Sequence, residues 1–163
     1  MIRDLTADRA RELFDYSSGT GDLTWRLGRR AGKTAGCIRR SDGYRAIRVD
    51  GYLVYAHSIA WVHYYGRPFI ATCDHINRNR SDNSIANLRD ATQTQNLANT
   101  GPRSNNKTGF KGVCFLKRYK KFRAAMRVNG KLLVLGYFTD PAVAAARYDE
   151  ACLALYGEFA FNS

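Results

Sequence analysis

The sequence predicts an α+β protein, and three local signals support this prediction. Asp50-Gly51 and Asn129-Gly130 each suit the positive φ angles of a type I′ turn, and strand-like residues flank both pairs. Asp140-Pro141 supplies a helix N-cap followed by a proline suited to the first helical turn. Two hairpins and at least one long helix in 163 residues indicate a mixed architecture of short antiparallel strands and helices.

The first half of the chain is predicted to alternate short helices and strands. Thr6 is a suitable N-cap for the first helix, and Gly66 with Pro68 ends the second. The predicted elements are a helix over residues 6–15, a strand-like piece over 23–25, hairpin strands over 44–49 and 52–55, and a helix over 57–65.

The second half is predicted to contain one further strand and helix, a linker and a sheet covered by a helix. The elements are a strand over 70–75, a polar loop over 77–87, a helix that Thr92 begins, a linker over 101–107, strands over 110–115, 122–128 and 132–138, and a helix that ends at Gly157. The apolar stripe of this last helix comprises Ala144, Tyr148, Ala151, Cys152 and Leu155. Strand alternation places Arg123, Ala125 and Arg127 on one face of the sheet.

The charge of the chain points to a polyanionic partner, although a merely basic protein is the alternative. The formal net charge is +12 and the pI is about 9.9. Two stretches without acidic residues carry much of it, with six basic residues over 26–40 and nine over 107–131. They flank a segment, residues 51–104, with five basic and three acidic residues. This layout suits an enzyme that holds a long duplex on both sides of one bond.

The cysteines and the hydropathy exclude several classes of protein. Cys37, Cys73, Cys114 and Cys152 form no C-x-x-C pair, so we expect no zinc ribbon, no disulfide framework and no required zinc. No apolar run approaches the ~20 residues that span a bilayer, and no signal peptide opens the chain. The expected location is the cytoplasm, with no membrane partner.

The most informative motif combines one carboxylate, one imidazole and several carboxamides. Asp74-His75-Ile76-Asn77 is followed by Asn83, by Asn87-Leu88-Arg89 and by Gln95-Asn96. Hydrolysis of a phosphodiester needs a base for water and a cation for the charge that builds on phosphate oxygens. An imidazole supplies the base, and carboxylate and carboxamide oxygens are hard ligands that suit Mg²⁺ or Mn²⁺. The alternative is that these asparagines only satisfy the backbone of turns.

With Asn87 twelve residues after His75 and Asn96 nine further on, the pattern resembles the HNH nuclease family, in the cysteine-free form of phage and intron-borne enzymes. The resemblance implies a ββα-metal core and a metal-dependent endonuclease for double-stranded DNA. It also implies a homing-type enzyme or a nicking enzyme, and a phage-infected bacterial host. It assigns His75 as the general base, Asp74 and Asn96 as the ligands of Mg²⁺ or Mn²⁺, and Asn87 as a brace for the loop that orients His75. No small-molecule cofactor is implied.

Residues 108–162 resemble the DNA-binding domain of plant ethylene-responsive transcription factors, three antiparallel strands packed on one helix. The resemblance rests on Gly109-Phe110-Lys111-Gly112-Val113, Leu135-Gly136-Tyr137-Phe138, Ala144-Ala145-Ala146-Arg147-Tyr148-Asp149 and Phe161-Asn162. Leu132 and Val134 depart from it, since the family carries Arg and Trp there. The expected DNA contacts are Arg26, Arg29, Arg30, Lys111, Arg123 and Arg127.

The expected domains are a basic N-terminal segment over 1–41, an HNH nuclease domain over 42–104 and the DNA-binding domain over 105–163. Two other functions remain open at this point. A non-catalytic DNA-binding protein, such as a transcription regulator, would use the same scaffold, and an RNA-binding protein would use the same charge. The target site, the number of strands cut and the oligomeric state do not follow from the sequence.

Overall fold

The computed structural model describes residues 5–161 and divides the chain into two units, Met1–Gln93 and Thr94–Ser163. The predicted Asn162 of the C-terminal motif lies outside the described residues. The three-part division predicted above, at residues 41/42 and 104/105, stays a prediction. In the described part of the chain, no helix is both long enough and apolar enough to cross a membrane.

Over residues 5–93, the first unit contains two α-helices and seven strands. In chain order they are α1 (Ala7–Leu13), β1 (Phe14–Tyr16), β2 (Leu23–Trp25), β3 (Cys37–Ile38), β4 (Arg45–Val49), β5 (Tyr52–Tyr55), α2 (Ala56–Tyr65), β6 (Thr72–His75) and β7 (Leu88–Ala91). The strands form three antiparallel sheets, β1-β2, β3-β4-β5 and β6-β7. The predicted hairpin is confirmed, with positive φ at Asp50 (47°) and Gly51 (86°).

Capping residues set the limits of the two helices in this unit. Thr6 accepts a hydrogen bond from the Arg9 backbone, as expected of an N-cap, and Gly66 ends α2 in the left-handed conformation. The first helix is shorter than predicted, because Phe14 already belongs to β1 and pairs with Trp25. Phe14, Leu23, Ile47 and Ile59 are fully buried and form the centre of the core.

The second unit contains a short helix, a three-stranded sheet and a long helix. They are α3 (Gln93–Asn99), which begins at the boundary, β8 (Val113–Leu116), β9 (Lys121–Val128), β10 (Lys131–Phe138) and α4 (Pro141–Tyr156). The sheet is antiparallel in the order β10-β9-β8, and Asn129 (φ 50°) and Gly130 (φ 78°) form the predicted turn. This α+β architecture is the predicted one.

The core of the second unit lies between the sheet and α4. Ala144, Tyr148 and Cys152 are buried at four-residue spacing, and Ala124 and Met126 face them from β9. The prediction for Leu155 is wrong, since this side chain is 49% exposed. The buried row continues at Tyr156, four residues after Cys152, so its neighbour Leu155 is turned outward.

Candidate active site

The site is built at the end of β6, where the chain leaves a buried strand for a polar loop. Asp74 and His75 are only 3% and 4% exposed. The strand β7 pairs with β6 so that Asp74 lies opposite Arg89 and His75 opposite Leu88. A short two-stranded ribbon therefore ends in a carboxylate and an imidazole that are both shielded from most water.

The Asp74 carboxylate is paired with the guanidinium of Arg89 across the ribbon. Arg89 Nε and Nη2 lie 2.8 and 2.7 Å from Asp74 Oδ2. Both side chains are largely buried, and removal of one partner from such a pair leaves an uncompensated charge. The carboxylate is thus held in place by Arg89, a neighbour that the sequence alone did not assign to the site.

The imidazole of His75 is oriented by the carboxamide of Asn83. His75 Nε2 lies 3.3 Å from Asn83 Oδ1, and Asn83 Nδ2 donates to the carbonyl oxygen of Ser81 at 3.1 Å. The second bond fixes which way the amide faces, so Oδ1 is the atom that faces His75. Nε2 must then carry the proton, and Nδ1 is the basic nitrogen of the neutral ring.

Asn83 is itself held by the turn between β1 and β2. Its carbonyl oxygen accepts a hydrogen bond from the Tyr16 hydroxyl at 2.8 Å. Gly21, at φ 79°, lies so close that a Cβ there would meet the backbone of Asn83 and Ser84 at 2.3 Å. The Ile85 N–H also donates to the carbonyl of Ser18 at 2.9 Å. The position of the histidine therefore depends on a turn more than fifty residues earlier in the chain.

Asn87 braces the loop that follows His75. Its Oδ1 accepts from the Asn77 N–H at 2.8 Å, its Nδ2 donates to the Asp82 carbonyl at 2.8 Å, and its own carbonyl accepts from the Ile76 N–H at 2.9 Å. These are the contacts that a brace for the loop requires. Asn87 is buried, and its carboxamide is turned toward the loop backbone.

The acidic and amide groups of the loop mostly bond to one another. Asp82 accepts from the Ser84 hydroxyl at 2.7 Å and from Asn77 Nδ2 at 2.7 Å, and Asn79 accepts from the Ser81 hydroxyl at 2.7 Å. The bonds from Ser84 lower the pKa of Asp82. These hydrogen bonds give the loop its shape.

Burial controls the protonation of the two histidines near the site. It lowers the pKa of His75 below its ordinary value, and the bond to Asn83 opposes this shift. The neighbouring His57, on α2, has its pKa lowered to about 3 by burial and by the charge of His75. The two ring centroids are 5.3 Å apart. Both rings are neutral at neutral pH, so His75 is in the form that accepts a proton.

The predicted metal ligand Asn96 lies on α3, which belongs to the second unit, and its side chain is half-buried. Its pairing with Asp74 on one ion stays a prediction.

Some of the predicted DNA-contacting side chains are exposed, and others already bond to groups within the protein. Arg29 and Arg30 are exposed, and Arg30 lies over the Trp25 ring at 5.7 Å. Arg26 is exposed but bonds to the Arg11 carbonyl at 2.8 Å and pairs with Asp15 at 3.2 Å. These basic side chains share one short segment of the first unit.

In the second unit, the Lys111 ammonium bonds to the carbonyls of Leu97 and Ala98 at 3.0 and 2.6 Å, at the end of α3. The positive charge of Lys111 stabilises the C-terminal end of α3 at this position. The ammonium group is thus already hydrogen-bonded within the unit. Arg127 is exposed on β9 and donates to the Gly130 carbonyl at 2.9 Å. Arg123 lies on the same face, as strand alternation predicts, and its Nε is buried without a hydrogen-bond partner.

A comparison with protein families gives a match that falls on this site. Residues 54–98 match the HNH endonuclease family. The matched segment contains the ribbon β6-β7, its loop and all of α3 except its last residue, and the match supports a nuclease hydrolase. No curated protein matches the sequence.

One solved structure is similar over part of the chain. It is described as "DNA binding and cleavage by the HNH homing endonuclease I-HmuI" and is 28% identical, with a TM-score of 0.41. The similarity covers 52% of this chain and 49% of that one, so it spans about half of the length of that protein.

Proposed function

We propose that the chain is a metal-dependent endonuclease that hydrolyses phosphodiester bonds of double-stranded DNA. One observation carries the proposal: a buried Asp74-His75 pair ends a strand inside the HNH segment, residues 54–98, with its imidazole oriented by Asn83. A buried, neutral and oriented histidine is suited to general-base catalysis.

In the proposed reaction, His75 removes a proton from the water that attacks phosphorus. The bond from Nε2 to Asn83 leaves Nδ1 as the nitrogen that accepts this proton. The same bond then stabilises the imidazolium that forms, since Asn83 Oδ1 accepts from a ring with greater positive charge. Cleavage of the bond to the 3′ oxygen would leave 5′-phosphate and 3′-hydroxyl ends.

The Asp74 carboxylate fits a divalent cation by its chemistry. It is a hard oxygen ligand in a buried position, and Arg89 contacts its Oδ2. A carboxylate has about four lone-pair sites, so an ion and an arginine can share it. We propose that Asp74 and Asn96 hold one Mg²⁺ or Mn²⁺. When bound, such an ion stabilises negative charge on the phosphate oxygens.

The basic residues on the surface would hold the phosphate backbone on either side of the cut. We propose Arg29, Arg30 and Arg127 as DNA contacts, because their charges are exposed, and Arg123 as a fourth on the same sheet face as Arg127. Arg26 and Lys111 are weaker candidates, since an aspartate pairs with the first and helix carbonyls accept from the second.

A homing-type specificity and a phage-infected bacterial host are further parts of the proposal, and they rest on the resemblance of the motif. A single histidine base per chain favours nicking of one strand unless two copies act together.

Incubation of the purified full-length chain with supercoiled plasmid tests the proposal. We expect nicked or linear product with Mg²⁺ or Mn²⁺ and none with EDTA. Asp74→Asn should raise the concentration of Mg²⁺ needed for half-maximal cleavage, because it removes a charged ligand. Arg89→Gln is the matched variant, since it breaks the same ion pair but keeps the carboxylate. Binding of duplex DNA without any cleavage would instead support a DNA-binding regulator, and preference for structured RNA would support the RNA-binding alternative.

A further inference from the structure

Three potential metal ligands outside the proposed Asp74–Asn96 set meet at the active site, and they include His75. They are His57 on α2 and Cys73 and His75 on β6, and one ligand atom from each lies within 4.8 Å of the other two. Cys73 and His75 are two residues apart on one strand, so both side chains leave the same face of the ribbon. The helix α2 brings His57 to that face.

The neighbours of His57 leave one nitrogen of its ring without a hydrogen bond. Its Nδ1 is buried and has no hydrogen-bond partner. Aromatic rings surround the imidazole, with centroids at 5.2 Å for Tyr44, 5.3 Å for Tyr55 and 6.2 Å for Phe69. A buried polar atom without a partner is rare in folded proteins, and a role in binding an ion is one of its ordinary explanations.

The chemistry of the three groups selects the metal. A thiolate with two imidazoles is a ligand set for zinc, whereas Mg²⁺ prefers oxygen ligands. Around a tetrahedral zinc, neighbouring N and S ligand atoms lie roughly 3.3–3.6 Å apart, given the usual Zn–N and Zn–S bond lengths. The three groups would therefore need to approach one another by about 1 Å, on the order of a small side-chain rotation.

We propose that Zn²⁺ binds to His57, Cys73 and His75 and thereby inhibits the nuclease. The inhibitory part rests on the proposed function, because His75 is the proposed base. If zinc takes Nδ1, the lone pair that accepts the proton is lost. If zinc takes Nε2, the bond to Asn83 is lost. Either way, zinc and catalysis compete for one imidazole, so zinc acts here as a regulator and is needed neither for folding nor for cleavage.

The sequence gives no local sign of this site, because only paired cysteines have a recognisable zinc-binding spacing. His57 on α2 precedes Cys73 on β6 by sixteen residues in the sequence. The ligands come together only because α2 packs on the ribbon.

The first test measures binding and does not depend on activity. The full-length chain, stripped with a chelator and dialysed, is titrated with Co²⁺ as a spectroscopic substitute and with Zn²⁺ in competition with a chromophoric chelator. We expect one ion per chain and a thiolate-to-cobalt absorption band that is lost in Cys73→Ala. His57→Phe, which keeps a ring among the aromatic neighbours, should weaken binding at least ~10-fold, as expected for loss of a direct ligand. Cys37→Ala, which removes an exposed thiol elsewhere, is the control and should bind as the parent does.

The second test measures plasmid cleavage at fixed Mg²⁺ and rising Zn²⁺. The parent and Cys37→Ala should be inhibited together, and Cys73→Ala and His57→Phe should need at least ~10-fold more zinc. Equal inhibition of all four proteins would place zinc elsewhere and overturn the proposal, as would a parent that binds no cobalt through a thiolate. A parent that binds zinc through Cys73 but never cleaves DNA would leave the site standing and refute the proposed function instead.

Discussion

His75 Nε2 and Asn83 Oδ1 lie 3.3 Å apart, and this contact determines which nitrogen of the histidine can act as a base. The orientation of the Asn83 amide is set independently by its donation to the Ser81 carbonyl at 3.1 Å. Asn83 is 1% exposed, and the Tyr16 hydroxyl holds its backbone. The tautomer of the proposed base is therefore imposed by the loop and not by the metal ligands.

Substitution of Asn83 tests this relationship. Asn83→Ala removes the acceptor, so the imidazole loses its fixed tautomer and orientation. We expect cleavage to slow by roughly 10-fold or more, a part of the 10²–10⁴-fold that a general base contributes. The measurement is kcat and KM with a short duplex that contains the preferred site. The loss should fall on kcat, with little change in DNA affinity.

The control for this substitution is Asn79→Ala, which removes an exposed loop carboxamide that does not contact His75. If Asn83→Ala cleaved as fast as Asn79→Ala, the contact with His75 would have no catalytic role.

A side chain at Gly21 should destabilise the protein by a clash with the backbone of Asn83. Comparison with Gly32 separates this clash from the cost of a positive φ. Gly21 and Gly32 both have positive φ, at 79° and 76°, but only at Gly21 would a Cβ meet another part of the backbone, Asn83 at 2.3 Å. Gly32→Ala should cost about 1 kcal/mol of unfolding free energy, and Gly21→Ala clearly more. Urea unfolding measures this difference.

Because the clash is with Asn83, Gly21→Ala should also slow cleavage under conditions where the variant remains folded, whereas Gly32→Ala should not. Equal unfolding free energies for the two variants would show that the turn can move away from the loop at no cost.

Arg123 and Arg127 should contribute to DNA affinity through phosphate contacts. Each of Arg123→Gln and Arg127→Gln should weaken binding and flatten the slope of log K against log salt by roughly 0.9. Point variants are preferable to a truncation after Arg103, because Lys111 and the Phe161 N–H both bond to carbonyls at the end of α3. The measurement is a fluorescence anisotropy titration at several salt concentrations.

Arg147→Gln serves as the control for DNA binding, since Arg147 pairs with Glu150 on α4 at 2.7 Å. Salt slopes that are the same for the parent and all three variants would exclude the sheet face as a DNA contact.

The buried His57 should make the protein less stable in acid. Its pKa is about 3 in the folded chain and 6.5 as the ordinary value, so the unfolded chain binds the additional proton between these two values. Stability is therefore fully retained above pH 6.5 and decreases as the pH falls toward 3, by at most ~1.4 kcal/mol per pH unit from this group.

Replacement of the ring should reduce that dependence. His57→Phe cannot take up a proton, so its unfolding free energy should decrease less between pH 7 and pH 5 than that of the parent, with both measured in urea and EDTA. His63 and His75 remain in both proteins, so their contributions cancel. Parallel pH profiles would show that His57 is protonated as easily in the folded chain as in the unfolded one.

Local signals predicted most of the elements, because each depends on a few adjacent residues. The turns at Asp50-Gly51 and Asn129-Gly130 and the cap at Asp140 form as expected, since positive φ and N-cap bonding are properties of the residues themselves. The apolar spacing of the last helix failed only at Leu155, where the sheet-facing row continues at Tyr156.

The site was predictable in its residue types but not in its supporting contacts. The sequence alone predicted that Asp74 and His75 are the last two residues of a strand, as they are in β6. The pairing of Asp74 with Arg89 depends on the register of β6 and β7, and the orientation of His75 depends on a turn near Gly21. The nearness of His57 depends on how α2 packs. Such long-range relationships have no local signature in one sequence.

The most direct test of the account is the cleavage rate of His75→Ala in the presence of Mg²⁺, measured beside its affinity for the same DNA. We expect a loss of at least ~10²-fold in rate with little change in affinity, because the imidazole acts on water and does not hold the duplex. His63→Ala, on α2 but bonded to the Phe14 carbonyl at 3.2 Å, is the matched control and should cleave as the parent does while it is folded. Cleavage by His75→Ala at the parental rate would contradict the assignment of His75 as the general base.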